Sequence, residues 1–97
     1  MFANDFQSHM NTLSVLSTGA KVKGLISTDG LMLDADIMDD EDVFSTLLSL
    51  LASAAGKVGQ INQLGALSQI KISLAQGDIN IIPLDNDILG FFIVTSQ

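Results

Sequence analysis

The segment that most constrains this chain is a long apolar stretch from Val43 to Asn62 with helical spacing. At about 100° per residue, its apolar side chains cover an arc of roughly 160°, wider than the stripe that a surface helix usually turns to its own core. The remaining arc should be charged, but Lys57 is the only charged residue in the stretch. Because one small domain cannot bury so much apolar helix, we expect the chain to self-associate or to bind a partner.

Composition points the same way. The 97 residues have room for a single domain, which we expect to span residues 1–97. Charged residues make up 15% of the chain, below the usual value of about 25%, and this favours an oligomer. The net charge of −7, with no arginine, excludes nucleic-acid binding through phosphate contacts and disfavours an anionic membrane surface. A basic protein partner is compatible with it.

The sequence contains no obvious targeting segment and no catalytic set. The absence of cysteine excludes disulfides and thiolate metal sites. No apolar run approaches the ~18 residues of a membrane span, and the N-terminus lacks the pattern of a signal peptide. His9 is the only histidine and has no obvious partner, so no nucleophile, acid and base can be assembled. We therefore expect a cytoplasmic protein that is not an enzyme and needs no cofactor or metal.

The periodicity predicts a helix, two strands, a second helix and three further strands. Their predicted ranges are 3–17, 21–28, 31–38, 43–62, 69–74, 79–84 and 88–94. Asp29-Gly30 between two apolar runs predicts a hairpin with a type I′ turn. The last run is apolar at six of seven positions, which predicts a central strand buried on both faces. The fold class is therefore an α+β sandwich of three layers, with a mostly antiparallel five-stranded sheet and one helix on each face.

Two local features allow more than one interpretation. The carboxylates of residues 34–42 do not fit the spacing of a calcium loop, so we expect them to cap the long helix and to complement its dipole. Gly56 and Gly59 each cost about 1 kcal/mol in a helix relative to alanine. Either another backbone approaches them closely, or the helix ends early near Gly56.

The order of several short motifs resembles the roadblock/dynein light chain domain family. The first part is the run from Val22 to Leu31, with its valine-x-glycine strand and Asp-Gly turn. The second part comprises Leu64-Gly65, 69–72, Gly77, Ile79, Ile81, Pro83-Leu84 and Ile88-Leu89. The resemblance covers roughly residues 13–94 and is to the minimal form, without the C-terminal helix of many bacterial members. Ala66 departs from the family, which often has an acidic residue there.

The resemblance implies a homodimer in which the second helices pack antiparallel and the third strands pair into one continuous ten-stranded sheet. Mapped onto this chain, the interface comprises Phe44, Leu47, Leu48, Leu51, Ala55, Gln69, Ile70, Lys71, Ile72 and Ser73. Roadblock domains act as non-enzymatic platforms for Ras-like GTPases or as adaptors. Some prokaryotic members modulate GTP hydrolysis in a partner. The resemblance thus implies an adaptor that binds and regulates a small Ras-like GTPase.

The long helix is expected to contact both the chain's own sheet and a second copy, so we assign its residues to two sides. The residues expected to cover the chain's own sheet are Val43, Leu47, Leu50, Ala54 and Ile61, and those expected to meet the twin are Phe44, Leu48, Leu51 and Ala55. A strip of small residues then remains, which either widens the dimer seam or binds a third protein. It comprises Ser45, Ser49, Ala52, Gly56 and Gly59.

A second hypothesis is a small-ligand sensor with a profilin-like fold. It requires a cavity between sheet and helix, lined by Met32, Met38 or Phe91. The high density of leucine and isoleucine argues for a filled core instead.

Overall fold

The predicted order of elements is confirmed by the computed structural model. It describes residues 2–16, 19–20, 22–35 and 40–95, with side chains from residue 7 onward except that of residue 35. The elements are α1 (Phe2–Leu16), β1 (Val22–Ser27), β2 (Met32–Ala35), α2 (Glu41–Ile61), β3 (Ile70–Leu74), β4 (Gly77–Asp85) and β5 (Ile88–Thr95). The strands form one antiparallel sheet in the order β2-β1-β5-β4-β3. The predicted end of the second strand, over residues 36–38, lies outside the described residues.

The last strand lies at the centre of the sheet, as its apolar run predicts. Leu89 and Phe91 pack in the core under α2. Gly90, between them, points to the face that α1 covers, where an added Cβ would lie 3.1 Å from Leu13 Cδ1 and 2.8 Å from Leu84 Cδ1. The one gap in the apolar run therefore makes room for α1.

The β1–β2 hairpin forms, but its turn is not type I′. A type I′ turn needs positive φ at both central residues, and only Gly30, with φ of 97°, has it. The Gly30 N–H donates to the Ser27 carbonyl (3.0 Å), and the Ser27 N–H donates to the Leu31 carbonyl (2.8 Å). This is a three-residue loop with glycine at the bulge, which needs one left-handed residue instead of two.

The N-terminus of α2 lacks the side-chain cap that the sequence predicts. Asp40 occupies the N-cap position with a left-handed φ of 56° and makes no side-chain capping bond, so the predicted carboxylate cap is wrong for Asp40. Glu41 and Asp42 lie in the first turn, where negative charge complements the helix dipole.

None of the helices in the described ranges is long and apolar enough to cross a membrane.

The larger core lies between α2 and the sheet. Its buried members are Ile26, Leu48, Ala52, Ile81, Leu89 and Phe91. Phe44 adds an edge-to-face contact with Phe91, with ring centroids 5.0 Å apart. On the other face of the sheet, α1 contacts β1 and β5 and buries Leu13. The two helices thus sandwich the sheet.

Candidate interaction surface on the second helix

Most of the strip of small residues on α2 faces the chain's own interior: Ser45, Ser49 and Ala52 are buried, so Ser45 in particular is not part of an open partner surface. Ser45 is fully buried, and its Oγ donates a hydrogen bond of 2.7 Å to the Gly30 carbonyl. A Cβ on Gly30 would lie 3.2 Å from Ser49 Oγ. The hairpin turn therefore lies directly against α2, and only small side chains fit between them.

The apolar side expected to cover the sheet instead faces outward, so that assignment is wrong. Leu50 is 60% exposed and Ile61 80% exposed, and Val43, Leu47 and Ala54 are exposed as well. The physical reason is the turn just described. Because its backbone occupies the space beside the helix, α2 is rotated with its serines inward and its large aliphatic residues outward.

The residues predicted to contact a second copy of the chain differ in how deeply they are buried. Leu48 is only 3% exposed and belongs to the core, so it is wrong as an interface residue. Phe44 is half-buried against Phe91. Leu51 is 44% exposed and Leu47 is exposed beside it. We call the flank formed by Leu47, Leu51, Ala55 and Val58 the apolar flank of α2.

Next to this flank, part of the sheet on the α2 face is uncovered. α2 lies at the end of the sheet where the β1–β2 turn lies, as the Ser45–Gly30 hydrogen bond shows. Towards the other end, a cavity of about 220 Å³ opens over the sheet. Its lining residues are Leu74, Gln76, Gly77, Asp78, Ile79, Ile93 and Thr95. Sequence reasoning missed Ile79 and Ile93, although their alternation with Ile81 and Phe91 places them on the same face of the sheet.

The third strand, β3, lies at one edge of the sheet. Within the described residues β3 pairs with β4 only, with Ile70 opposite Ile81 and Ile72 opposite Ile79. The side chains of Gln69, Lys71 and Ser73 are exposed, whereas Ile70 and Ile72 pack partly against the core. Of the predicted pairing residues, Ile70, Lys71, Ile72 and Ser73 lie on a described strand whose outer edge is open to another strand, and Gln69 directly precedes it.

A groove lined by both polar and apolar residues runs along the opposite flank of α2. Two adjoining cavities of about 380 and 420 Å³ share Ala52, Ser53, Ala66 and Leu67 as lining residues. Asp85 and Asn86 line one of them, and Gly56 and Lys57 the other. Of the small strip predicted as a partner surface, Ser49, Ala52 and Gly56 border this groove, with Ser49 and Ala52 buried at its base and Gly56 half-buried.

His9 has a partner, contrary to the prediction. Its Nε2 lies 3.6 Å from Asp85 Oδ2, which links α1 to the β4–β5 turn. This pair contains no nucleophile. Among the described residues, no group of three histidine, cysteine or acidic side chains is placed to hold a metal ion.

The cavity required by the sensor hypothesis is filled. Phe91 is fully buried and Met32 packs against the core under α2. Met38, the third proposed lining residue, lies outside the described residues. The open cavities described above lie elsewhere, two of them beside α2 and one over the far end of the sheet.

Comparison with known structures identifies the class of fold. Neither a protein-family model nor a curated protein sequence matches the chain. The roadblock/LC7 domain from Streptomyces avermitilis superimposes with a TM-score of 0.74 at 18% identity, over 88% of this chain and 73% of that one. The chain therefore has the roadblock/LC7 fold, as the motifs predicted.

Two further structures have the same architecture. Myxococcus xanthus MglB matches with a TM-score of 0.77 at 14% identity, over 88% of this chain and 71% of that chain. The gliding protein MglB from Thermus thermophilus matches with a TM-score of 0.77 at 14% identity, over 93% of this chain and 73% of that chain.

Proposed function

We propose that this protein is a cytoplasmic, non-enzymatic adaptor that forms a homodimer and binds and regulates a small Ras-like GTPase. The observation that carries the proposal is the exposed apolar flank of α2 together with an uncovered apolar patch at one end of the sheet, in a chain with the roadblock/LC7 fold. Large contiguous apolar surfaces on a soluble protein mark interaction sites.

The two apolar surfaces are complementary under two-fold symmetry. If β3 pairs antiparallel with β3 of a second copy, the sheet continues across the seam, and each copy can place its apolar flank over the uncovered patch of the other's sheet.

Leu51→Asp tests the dimer. Leu51 lies in the apolar flank but outside the core, so an aspartate there places a charge in the seam without disturbing the fold. We expect the variant to have half the mass of the wild-type particle in sedimentation velocity at micromolar concentration. Ser53→Asp is the matched control, since Ser53 is exposed on the groove side of the same helix, and its mass should not change. A monomeric wild type would overturn the dimer.

GTPase binding is tested separately. We expect the groove beside Gly56 to contact the GTPase, because the proposed dimer leaves it open and Asp85 at its edge suits a basic side chain of a partner. Immobilised wild-type protein should retain a Ras-like GTPase from a lysate of the source cell, to an extent that differs between added GDP and a non-hydrolysable GTP analogue. Ser53→Arg, which fills the groove, should lose the GTPase and keep the wild-type mass. Calorimetry with the purified GTPase that shows no binding in either nucleotide state would contradict the proposal.

A further inference from the structure

The groove beside α2 carries opposite charges at its two ends. Asp85 and Asn86 line one end, and Lys57 and Gln60 line the other. The lining follows α2 from Ser49 to Gln60, a length of about 16 Å at the rise of an α-helix. We call the two adjoining cavities together the α2 groove. It has an acidic end and a basic end.

The acidic end contains more than one carboxylate. The Thr28 N–H donates to the Asp87 carbonyl (3.1 Å), and this bond joins the β1–β2 turn to the β4–β5 turn. Asp29, Asp85 and Asp87 therefore lie at the same end of the sheet, and all three are exposed. Although His9 lies 3.6 Å from Asp85, the Asp85 side chain is still 58% exposed. This end suits a lysine or arginine of a bound segment.

Lys57 supplies the charge at the basic end. It is the only charged residue of α2 after the first turn, and it is exposed where it lines the groove. Among the described residues, no carboxylate lies within ion-pair distance of its ammonium group. This end suits an aspartate or glutamate of a bound segment.

The loop between α2 and β3 forms one wall of the groove and has backbone groups to offer. Ala66 and Leu67 line both halves of the groove. No hydrogen bond within the described part of the chain engages the backbone of Gly65, Ala66 or Leu67. Unpaired backbone groups can bind an extended peptide, as an open strand edge does.

We propose that the α2 groove binds an extended segment with lysine or arginine at one end, aspartate or glutamate at the other, and small or aliphatic residues between. At about 3.3 Å per residue, about five residues span the groove. The inference rests on the proposed function and deepens it, because it assigns this segment to the GTPase. The opposite charges at the two ends of the groove set the direction in which the segment lies.

Selection from random peptides displayed on phage tests this chemistry without knowledge of the partner. Immobilised wild-type protein should enrich peptides that carry a basic and an acidic residue about four or five positions apart. Lys57→Glu should instead enrich peptides with a basic residue at both positions, because the variant reverses the charge at one end. Ser53→Arg, which fills the groove, should enrich none of them.

Anisotropy of one selected, labelled peptide then measures each end. Lys57→Gln and Asp85→Asn should each weaken binding about two- to fivefold, the usual effect of an exposed ion pair, and added salt should reduce this difference. Lys71→Gln and Asp34→Asn are the matched controls, since both residues are exposed and neither lines the groove. Their affinities should equal that of the wild type. Circular dichroism and sedimentation should show the same fold and mass for all variants.

The possible failures are distinguishable. A selection that yields no peptide sensitive to Ser53→Arg, or only peptides without the two charges, overturns the inference. It also fails if the purified GTPase binds and a selected peptide does not displace it, a result that leaves GTPase binding intact. Peptides that bind as expected while no GTPase binds support the chemistry of the segment and overturn the GTPase as its source.

Discussion

At the scale of single residues, the two glycines of α2 have different surroundings. A Cβ on Gly59 would lie 2.8 Å from the Gly65 carbonyl oxygen, whereas a Cβ on Gly56 would meet nothing within 4 Å. The predicted close approach of a backbone is thus confirmed for Gly59, where the backbone belongs to the chain's own loop, and it is wrong for Gly56. The helix also continues past Gly56 to Ile61, so it does not end early.

Alanine at these two positions should have opposite effects on stability. Gly59→Ala forces the loop carbonyl to move and should lower the free energy of unfolding by about 1–3 kcal/mol. Gly56→Ala removes a flexible helical position and should raise it by up to about 1 kcal/mol. Urea unfolding at one fixed protein concentration measures both. Equal effects of the two substitutions would contradict the different environments.

Ser45 joins α2 to the hairpin turn through its buried hydroxyl. Ser45→Ala leaves the Gly30 carbonyl without this donor and should cost about 1–2 kcal/mol. Ser53→Ala, at an exposed position of the same helix, should change stability by less than about 0.5 kcal/mol. Thermal unfolding compared at the same concentration checks the pair. A Ser45→Ala protein as stable as the control would mean that the hydrogen bond contributes little.

At the scale of the element, the C-terminus of α2 is closed by a left-handed residue that is not glycine. Gln63 has φ of 57°, its N–H donates to the Gln60 carbonyl (3.1 Å), and the Leu64 N–H donates to the Gly59 carbonyl (2.8 Å). These two bonds form a Schellman motif, in which glycine usually occupies the left-handed position.

Gln63→Gly should therefore stabilise the protein by about 1 kcal/mol, because glycine adopts this conformation without steric cost. Asn62→Gly is the matched control. Asn62 has φ of −94° and donates from Nδ2 to the Val58 carbonyl, so glycine there should destabilise. Denaturant midpoints of the two variants should move in opposite directions. A shift of both the same way would count against the motif.

Substitutions on the buried and the exposed face of α2 should have different effects, on folding and on association respectively. Leu48→Asp buries a charge in the core and should lower the free energy of unfolding by more than about 3 kcal/mol. Leu51→Asp should keep the wild-type circular dichroism spectrum and lose a contact between copies. A folded Leu48→Asp protein of unchanged stability would show that the helix is rotated relative to the sheet described above.

At the scale of the whole molecule, one copy leaves much of its apolar surface in water. Association should therefore contribute to stability by mass action. The urea midpoint of the wild type should rise with protein concentration across the micromolar range, and that of Leu51→Asp should not. A midpoint independent of concentration in the wild type would argue against coupled folding and association.

The sequence alone predicted the number, type and order of the elements and the central place of β5. These follow from hydrophobic periodicity and turn residues, which act over a few neighbouring positions. The motif order from Val22 to Leu89 likewise led to the fold that the solved structures share. The excess of apolar surface on the long helix was also visible, because it depends only on which residues the helix contains.

Only the tertiary structure decided which side of that helix faces the sheet. A helical wheel ranks arcs by hydrophobicity, and it assigned the leucine-rich arc of Leu47 and Leu50 to the core. The hairpin turn at Gly30 packs against Ser45 and Ser49 instead, where small side chains allow two backbones to approach and the hydroxyl of Ser45 satisfies a carbonyl. Local periodicity does not predict such a steric fit, because the two segments are distant in sequence. The fit turns the most apolar arc of α2 outward, and the proposed association rests on that surface.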